Sequence, residues 1–372
     1  MLTLARTLDA LAAYLPPALV SPAGYLGALQ VAAQLPAALT RWTYLECRLG
    51  GRPAPVDVIV EIDATGRDIL TGAVRALAPG PSLQADPVWA RVVEVCRRWA
   101  DPASPLRHWV ECLWLEFDAG TGSAPARPGV FVGFARRAYA EGSAEERCAR
   151  ATHALEVLLG APLDAGRLEA LRRCYRHLPE GASVLYAGSL LPRGDGVLRA
   201  CINGMGAREL PGFLRAAGWP GPYGPLEALL PRLHAVRAGA AVRDPALLHL
   251  DLGTEGVRPR IGLEYVFGWK EQARGRLAET AFLEHLTAHG LCTAEEAAAL
   301  AAFPGCTTEQ LPHELWNSLV LRRVNHVKVV LDGDRAPEAK GYLVLHNRFW
   351  KHAIVPIGTI PPRTAVSALV RG

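Results

Sequence analysis

Two lysines near the end of the sequence are spaced so that they can act together. The chain has only four lysines, and Lys328 and Lys340 stand twelve positions apart in the stretch RRVNHVKVVLDGDRAPEAKGYLVLHNR. The segments around them alternate polar and apolar residues, which is typical of two strands joined by a short turn. Two ammonium groups on neighbouring strands either hold an anion such as a phosphate or protect an exposed strand edge from pairing with another chain.

Four more pairs of alternating segments precede this hairpin. The five pairs begin at a spacing of roughly 65 to 75 residues, which indicates a repeated unit. Helical patterns separate the pairs, and residues 1–41 are predicted to form N-terminal helices. The strand pairs are predicted near residues 42–63, 109–135, 184–203, 248–267 and 324–346.

Capping residues mark several of the intervening helices. Asp86 directly precedes a proline at the start of one helix, and Ser143 with Glu146 and Thr293 with Glu296 form capping boxes. These signals satisfy the first free N–H groups of a helix and therefore fix where it begins. Further helices are predicted at about 164–178, 206–217, 224–237, 277–289 and 308–320.

The strand pairs fit either an open α+β sheet with helices on one face or a closed antiparallel barrel of ten strands. The alternation favours the barrel, because nearly every strand has a charged face and an aliphatic face. Eight strands already leave space for one small ligand, so ten strands would enclose a cavity. The residues predicted to face this lumen are Tyr44, Glu46, Arg48, Asp57, Glu61, Glu116, Arg199, Asn203, His249, Asp251, Arg260, Glu264, His326, Lys328, Lys340, Tyr342 and His346.

The element order resembles that of the ABBA-type aromatic prenyltransferases. In that family, five ααββ repeats form a ten-stranded antiparallel β-barrel with helices outside and the active site in the lumen. The resemblance covers nearly the whole chain as element order and predicts an α+β fold with a single barrel domain over residues 1–372. It also implies a transferase that moves a prenyl group from an allylic diphosphate to an electron-rich aromatic acceptor.

Family members hold the diphosphate with lysines, arginines and tyrosines that are often spaced K-x-Y or R-x-K-x-Y. Lys340 and Tyr342 match the first spacing. Around Lys328 the second spacing is altered, because His326 replaces the arginine and Val330 replaces the tyrosine. The resemblance therefore implies a diphosphate site made of Arg199, Arg260, His326, Lys328, Lys340 and Tyr342.

Charge along the chain divides the predicted lumen. Carboxylates dominate the first two strand pairs, whereas the basic residues come from the third, fourth and fifth pairs. The lumen is therefore expected to have an acidic side and a cationic side. Fixed cations stabilise the charge that develops on a departing diphosphate.

Glu116 is the predicted catalytic residue, since indole prenyltransferases carry a glutamate on an early strand that accepts a hydrogen bond from the indole N–H. Such a carboxylate would orient the ring and raise its nucleophilicity. Trp42 is expected to contribute to an aromatic wall around the acceptor. The other residues predicted to face the acceptor or the lumen are Tyr44, Glu46, Trp114, His249 and Glu264.

Composition excludes several other classes of protein. The net charge of +4 is small for 372 residues and the basic residues are dispersed, so nucleic acid is not an expected partner. Prolines interrupt the apolar N-terminal stretch, so no membrane partner is expected. The eight cysteines contain no CxxC pair, which is typical of small core residues in a reducing, cytoplasmic setting.

Metal motifs are absent from the sequence. No DDxxD segment occurs, and HELWN lacks the second histidine of HExxH. No cofactor is therefore predicted, although the motifs are compatible with magnesium. Two alternatives stay open: a non-catalytic barrel that binds a peptide or small amphiphile as an accessory biosynthetic protein, and an enzyme for another phosphorylated or anionic substrate. The acceptor in the favoured case is an indole, a phenol or an aromatic side chain of a peptide, as in secondary metabolism.

Overall fold

One antiparallel sheet of eleven strands organises the molecule. The computed structural model describes residues 3–51, 55–73, 83, 85–119, 126–194, 196–235, 247–268, 272, 280–310 and 317–349. The strands are β1 (Trp42–Arg48), β2 (Asp57–Ile62), β3 (Val110–Phe117), β4 (Gly129–Phe134), β5 (Ser183–Ser189), β6 (Leu198–Asn203), β7 (Leu247–Gly253), β8 (Gly256–Val266), β9 (Gly305–Glu309), β10 (Ser318–Asp332) and β11 (Glu338–Phe349).

Ten of these strands close into a barrel. Strands β1 to β8 follow one another in sequence order, β10 pairs with β8, and β11 pairs with both β10 and β1. The predicted ten-stranded antiparallel barrel is therefore confirmed, with each of the five strand pairs at its expected place. In the last pair, Lys328 lies directly opposite Lys340 in the register.

Strand β9 corrects one sequence prediction. Residues 308–320 are predicted as a helix, but Gly305–Glu309 form strand β9. This strand pairs with the first residues of β10, which begins at Ser318. Residues 311–316 lie outside the described residues. The predicted helix is therefore wrong at the two described ends of its range, since Thr308 and Glu309 lie in β9, and Leu319 and Val320 belong to the start of the long strand β10.

The helices lie outside the barrel. Those described are α1 (Leu4–Ala10), α2 (Pro22–Ala32), α3 (Ala64–Leu70), α4 (Pro87–Ala100), α5 (Leu106–Trp109), α6 (Arg136–Tyr139), α7 (Ala144–Leu159), α8 (Ala165–Arg176), α9 (Leu210–Ala217), α10 (Tyr223–Ala235), α11 (Thr280–Ala288) and α12 (Ala294–Ala302). Both predicted capping boxes form, at the starts of α7 and α12. In α4, Asp86 accepts hydrogen bonds from two backbone N–H groups of the first turn.

The aliphatic face of each strand packs against these helices. Leu45, Cys47, Val327 and Val329 are completely buried in one hydrophobic core that also includes Trp89 of α4. Because strand side chains alternate in direction, the residues between them point into the barrel. The helices therefore cover the apolar face and leave the polar face to the lumen. No helix among the described residues combines the length and the hydrophobicity that crossing a bilayer requires.

Candidate active site

The lumen contains two adjoining cavities with different chemistry. A polar cavity of about 500 Å³ lies near the hairpin turns, and an aromatic chamber of about 300 Å³ lies beside it. Glu116, His249 and Lys328 line both cavities and therefore mark their boundary. The basic residues of the polar cavity are Arg48, Arg193, Arg199, Arg260, Arg335, Lys328 and Lys340, and its acidic residues are Glu46, Asp57, Glu116, Asp118, Asp251 and Glu338.

The two lysines point into this interior. Strand β10 is hydrogen-bonded to β8 and β11, and β11 is hydrogen-bonded to β10 and β1, so neither lysine lies on an open strand edge. The side chains of Lys328 and Lys340 are only 9% and 12% exposed. The alternative that these lysines protect a strand edge is therefore wrong.

Barrel closure brings Glu46 of the first barrel strand beside Lys340 and Tyr342 of the last. Lys340 Nζ and Tyr342 Oη both donate hydrogen bonds to the Glu46 carboxylate, which is 1% exposed. Lys328 Nζ donates a hydrogen bond of 3.2 Å to Tyr342 Oη. Burial opposes ionisation of Glu46, but the charges of Lys340 and Lys328 outweigh it and lower the pKa of Glu46 to about 2. This arrangement links both lysines through a tyrosine and a carboxylate.

The two arginines of the predicted diphosphate site are also ion-paired. Arg199 forms two hydrogen bonds to Asp251, of 2.6 and 3.1 Å, and both side chains are buried. Arg260 is half-buried and lies 3.0 Å from Asp332. In each pair the two residues are direct neighbours on adjacent strands. The geometry is fixed by the strand register, as preorganised electrostatic stabilisation requires.

The expected separation into an acidic side and a cationic side is therefore wrong. Strand closure places the acidic first strand against the cationic last strand, and cross-strand pairing joins Arg199 to a carboxylate of the next strand. Buried charges are stable only when they are paired and hydrogen-bonded. The lumen consequently contains ion pairs in which a basic residue of one strand meets an acidic residue of the adjacent strand.

Asp57 adds a titratable group to the polar cavity. It lies opposite Glu46 in the strand register and accepts a hydrogen bond of 2.8 Å from the backbone N–H of Ala119. Burial and the neighbouring Glu46 carboxylate raise the pKa of Asp57 to about 7. The charge of this cavity therefore changes near neutral pH.

Aromatic rings surround the second cavity. Tyr44 and Trp114 meet edge to face with their centroids 5.1 Å apart, and Tyr186 contacts Trp114 from the other side at 6.2 Å. Phe131 and Tyr342 complete the aromatic part of the lining. Rings in these positions offer π-faces to a bound cation or aromatic ligand.

Two of these rings were missed by the sequence reasoning. Strand β4 is apolar on both faces, so its alternation gives no inward phase for Phe131. Tyr186 follows a β-bulge between Val184 and Tyr186, which reverses the inward and outward phase within β5. Val330, where the family spacing would have a tyrosine, lines the polar cavity, whereas Tyr186 lines the aromatic chamber from a different strand.

Other predicted residues lie elsewhere. Trp42 stacks on His346 with the ring centroids 3.7 Å apart, and neither residue lines the two cavities. Glu61 and Asn203 also lie outside both linings. Trp42 is therefore not part of the aromatic wall, and it instead forms a cation–π contact with Arg323 at 4.9 Å.

Glu264 joins two predicted histidines in the wall of the chamber. His249 Nε2 lies 2.6 Å, His326 Nε2 3.3 Å and Lys328 Nζ 3.5 Å from Glu264 Oε1. Burial opposes the charge of Glu264, but attraction to the protonated forms of the two imidazoles and to the ammonium group outweighs it and holds the pKa of Glu264 well below the ordinary value. Burial itself lowers the pKa of both histidines to about 4. Both imidazoles are therefore neutral at pH 7.

Among the described residues, no group of three or more histidine, cysteine, aspartate or glutamate side chains is arranged so that it could hold a metal ion. Chemically, the site combines a strongly polar compartment with basic groups and an adjacent compartment lined by aromatic rings.

The closed ten-stranded antiparallel barrel with outer helices defines the fold class as the ABBA type found in aromatic prenyltransferases. In particular, the structure is similar to the apo form of the prenyltransferase PriB, with a TM-score of 0.50, 17% identity, and coverage of 92% of this chain and 94% of PriB.

Two further PriB structures match with lower scores. The ternary complex of PriB with L-tryptophan and dimethylallyl thiolodiphosphate has a TM-score of 0.49 at 16% identity, covering 92% of this chain and 93% of that chain. The binary complex of PriB with product diphosphate has a TM-score of 0.48 at 17% identity and the same coverage. No protein-family model matches the sequence, and neither does any curated protein.

Proposed function

We propose that this protein transfers a prenyl group from an allylic diphosphate to an electron-rich aromatic acceptor. The observation that carries the proposal is the direct contact between a polar cavity with basic side chains and an aromatic chamber inside one closed barrel. The diphosphate half of the donor matches the polar cavity, and its hydrocarbon half matches the aromatic chamber. The likeness of the fold to the prenyltransferase PriB supports this assignment.

The diphosphate is placed in the polar cavity. Lys328 and Lys340 lie opposite each other on paired strands, and Arg199 of β6 and Arg260 of β8 line the same cavity. Charge-assisted hydrogen bonds from such fixed groups strengthen as negative charge accumulates on the leaving group. Because this neutralisation is assigned to side chains, we propose that no metal cofactor is required and that turnover persists in EDTA.

The prenyl carbon chain and the acceptor are placed in the aromatic chamber. The faces of Tyr44, Trp114, Tyr186 and Tyr342 would stabilise an allylic cation and exclude water from it. A non-catalytic barrel is favoured by a gap in the aromatic shield at Val330. The aromatic rings that other strands contribute to the chamber can shield an allylic cation from water. We therefore favour the transferase.

The acceptor is proposed to meet Glu116, which is half-buried and lines both compartments. A carboxylate at that boundary can accept a hydrogen bond from an indole N–H or a phenol O–H and orient the ring. The proposed acceptors are an indole, a phenol or an aromatic side chain of a peptide, in secondary metabolism. The eight free cysteines support a reducing, cytoplasmic setting.

The experiment is a transfer screen with purified protein. Dimethylallyl, geranyl and farnesyl diphosphates are each combined with L-tryptophan, L-tyrosine, simple indoles and phenols, and aromatic peptides. Mass spectrometry detects prenylated acceptor, and a coupled assay measures released pyrophosphate. Lys328→Ala should reduce both signals, whereas Arg98→Ala, which removes an exposed charge on α4, should not.

The expected result is a prenylated acceptor and pyrophosphate in equal amounts. If no allylic diphosphate stabilises the protein in a thermal-shift assay and no acceptor is modified, the transferase proposal is overturned. Binding of amphiphilic peptides without turnover would then support the accessory-protein alternative.

A further inference from the structure

Glu264 lies at the centre of a buried cluster, with its carboxylate within 3.5 Å of His249, His326 and Lys328. Of these three residues, only Lys328 takes part in the proposed diphosphate contacts. The Glu264 carboxylate is 5% exposed and faces His249 from β7 and His326 from β10. Both histidines also line the aromatic chamber. Two imidazoles and a carboxylate at the reaction chamber are groups that can move protons.

The two histidines differ in whether one of their ring nitrogens can still accept a proton. The Asn325 side-chain amide lies 2.8 Å from His326 Nδ1, which fits a hydrogen bond donated by the Asn325 amide N–H. The proton of neutral His326 is then on Nε2, which faces Glu264. His326 therefore has a polar group close to each ring nitrogen, the Asn325 amide at Nδ1 and the Glu264 carboxylate at Nε2.

His249 retains a basic nitrogen. Its Nε2 lies 2.6 Å from Glu264, so this nitrogen carries the proton in the neutral ring. Its Nδ1 lies 3.6 Å from Cys201 Sγ, and a thiol is only a weak hydrogen-bond donor. Cys201 lines the aromatic chamber together with His249. The lone pair on His249 Nδ1 is therefore the one that a reacting group in the chamber can reach.

Prenyl transfer to an aromatic ring needs such a base. The C–O bonding pair leaves with the diphosphate, and a π pair of the acceptor ring forms the new C–C bond. The resulting cationic ring still carries a hydrogen on the alkylated carbon. Aromaticity returns when that proton leaves and its C–H bonding pair re-enters the ring.

We propose that His249 is the catalytic base that removes this proton, with Glu264 and His326 as positioning residues; the inference rests on the proposed prenyl transfer. The proton moves to the lone pair of Nδ1 and gives an imidazolium ion, which the Glu264 carboxylate stabilises through Nε2–H. The proton then passes to water or to the departing diphosphate, which restores neutral His249. The arrangement has the logic of a carboxylate that orients a catalytic histidine.

Neighbouring groups fit this assignment. Lys328 is a cation and offers no lone pair, whereas Glu116 is assigned to orient the acceptor. Burial and the nearby Lys328 charge lower the pKa of His249 to about 4, so the ring is neutral before the reaction. A protonated aromatic ring is a far stronger acid than an imidazolium ion, so proton transfer to such a weak base is still favourable.

The test compares His249→Asn with His326→Asn and Glu116→Gln in the full chain. Each protein is given dimethylallyl diphosphate labelled with oxygen-18 at its bridging position and the acceptor identified by the transfer screen, with and without ring deuterium. Product formation, the acceptor deuterium isotope effect and migration of the label to non-bridging oxygens are measured. Pyrophosphate binding by thermal shift reports whether each variant is folded.

For His249→Asn we expect a product rate about a hundredfold lower, as loss of a general base gives. Slow proton removal lets the alkylated ring revert, so a primary deuterium isotope effect and extra label migration should appear. His326→Asn and Glu116→Gln should lose rate without a new isotope effect. A folded His249→Asn variant that turns over within twofold of the parent, or slows without an isotope effect, would overturn the assignment.

Failure of the proposed function has a different signature. In that case the parent protein itself yields no prenylated product and no label migration. That result would overturn both prenyl transfer and the assignment of His249 as the base. If the parent is active and His249→Asn is equally active, only the assignment of His249 is overturned.

Discussion

Replacing Lys340 by alanine should damage both stability and diphosphate binding, and the two effects can be separated. Lys340 is ion-paired with Glu46, which is 1% exposed and cannot reach bulk water. Breaking a buried ion pair by removing one partner costs about 3 to 5 kcal/mol. We expect the lower end, because Tyr342 still donates a hydrogen bond to Glu46 and Lys328 stays nearby.

Diphosphate binding should fall for a second reason. Loss of one charge-assisted contact costs roughly 1.5 to 3 kcal/mol, or about ten- to a hundredfold in affinity. The paired variant Glu46→Gln with Lys340→Met removes both charges and leaves no buried ion without its partner. This double variant should regain most of the lost stability, but not the lost affinity for pyrophosphate.

The sign of the pH dependence provides a further check. The folded-state pKa of Glu46 is lowered to about 2, so its ion pair stabilises the protein above pH 4.5 and is lost as the pH falls towards 2. In Lys340→Ala, the positive charge that offsets the effect of burial on Glu46 is lost, so the pKa of Glu46 rises. The destabilisation relative to the parent should therefore be greatest near neutral pH and shrink below about pH 5.

Urea unfolding at several pH values and calorimetric titration with pyrophosphate measure these effects. The reasoning is refuted if Lys340→Ala unfolds at the parent's urea concentration, since a lysine that faced water would behave in that way. It is equally refuted if the double variant binds pyrophosphate as tightly as the parent.

Three other changes probe the cavities. Asp57 has a pKa of about 7, so the affinity of the parent for pyrophosphate should fall several-fold relative to that of Asp57→Asn as the pH rises and Asp57 becomes an anion. Asp57→Asn should therefore lack this part of the pH dependence. Gly262→Val should weaken pyrophosphate binding about tenfold, because a Cβ there would lie 2.9 Å from Lys328 Cε; Gly212→Ala, which meets nothing within 4 Å, is the control. Tyr186→Leu should raise the share of allylic diphosphate hydrolysed to prenyl alcohol, whereas Tyr186→Phe should not.

Each of these predictions has a contrary outcome. Parallel pH profiles for the parent and Asp57→Asn would show that Asp57 does not set the cavity charge. Equal pyrophosphate affinity in Gly262→Val and Gly212→Ala would show that the position of Lys328 is unimportant. Unchanged hydrolysis by Tyr186→Leu would remove this ring from the proposed water shield.

The sequence was informative wherever one strand face is charged and the other aliphatic. Strands β1, β10 and β11 alternate in this way, so the inward direction of Glu46, Lys328 and Lys340 could be predicted. Alternation fails where both faces are apolar, as in β4, and where a bulge shifts the phase, as before Tyr186. Strand β9 was also missed, because its five residues, GCTTE, show no regular alternation of apolar and polar side chains.

Ion pairing could not be predicted in the same way. The partner of Lys340 lies 294 positions earlier, and only closure of the barrel places Glu46 beside it. A strand pattern gives the direction of a side chain but not the neighbouring strand. For that reason the sequence indicated free lysines facing a separate acidic wall, where the structure has alternating ion pairs.

The most direct test of the central claim is a crystal structure of the protein with dimethylallyl thiolodiphosphate, an analogue that resists ionisation. We predict that its diphosphate contacts Lys328 and Lys340 in the polar cavity, while its allylic carbons lie in the aromatic chamber between Trp114 and Tyr342. A diphosphate bound outside the barrel, or a prenyl chain directed through the hairpin end into solvent, would contradict the account.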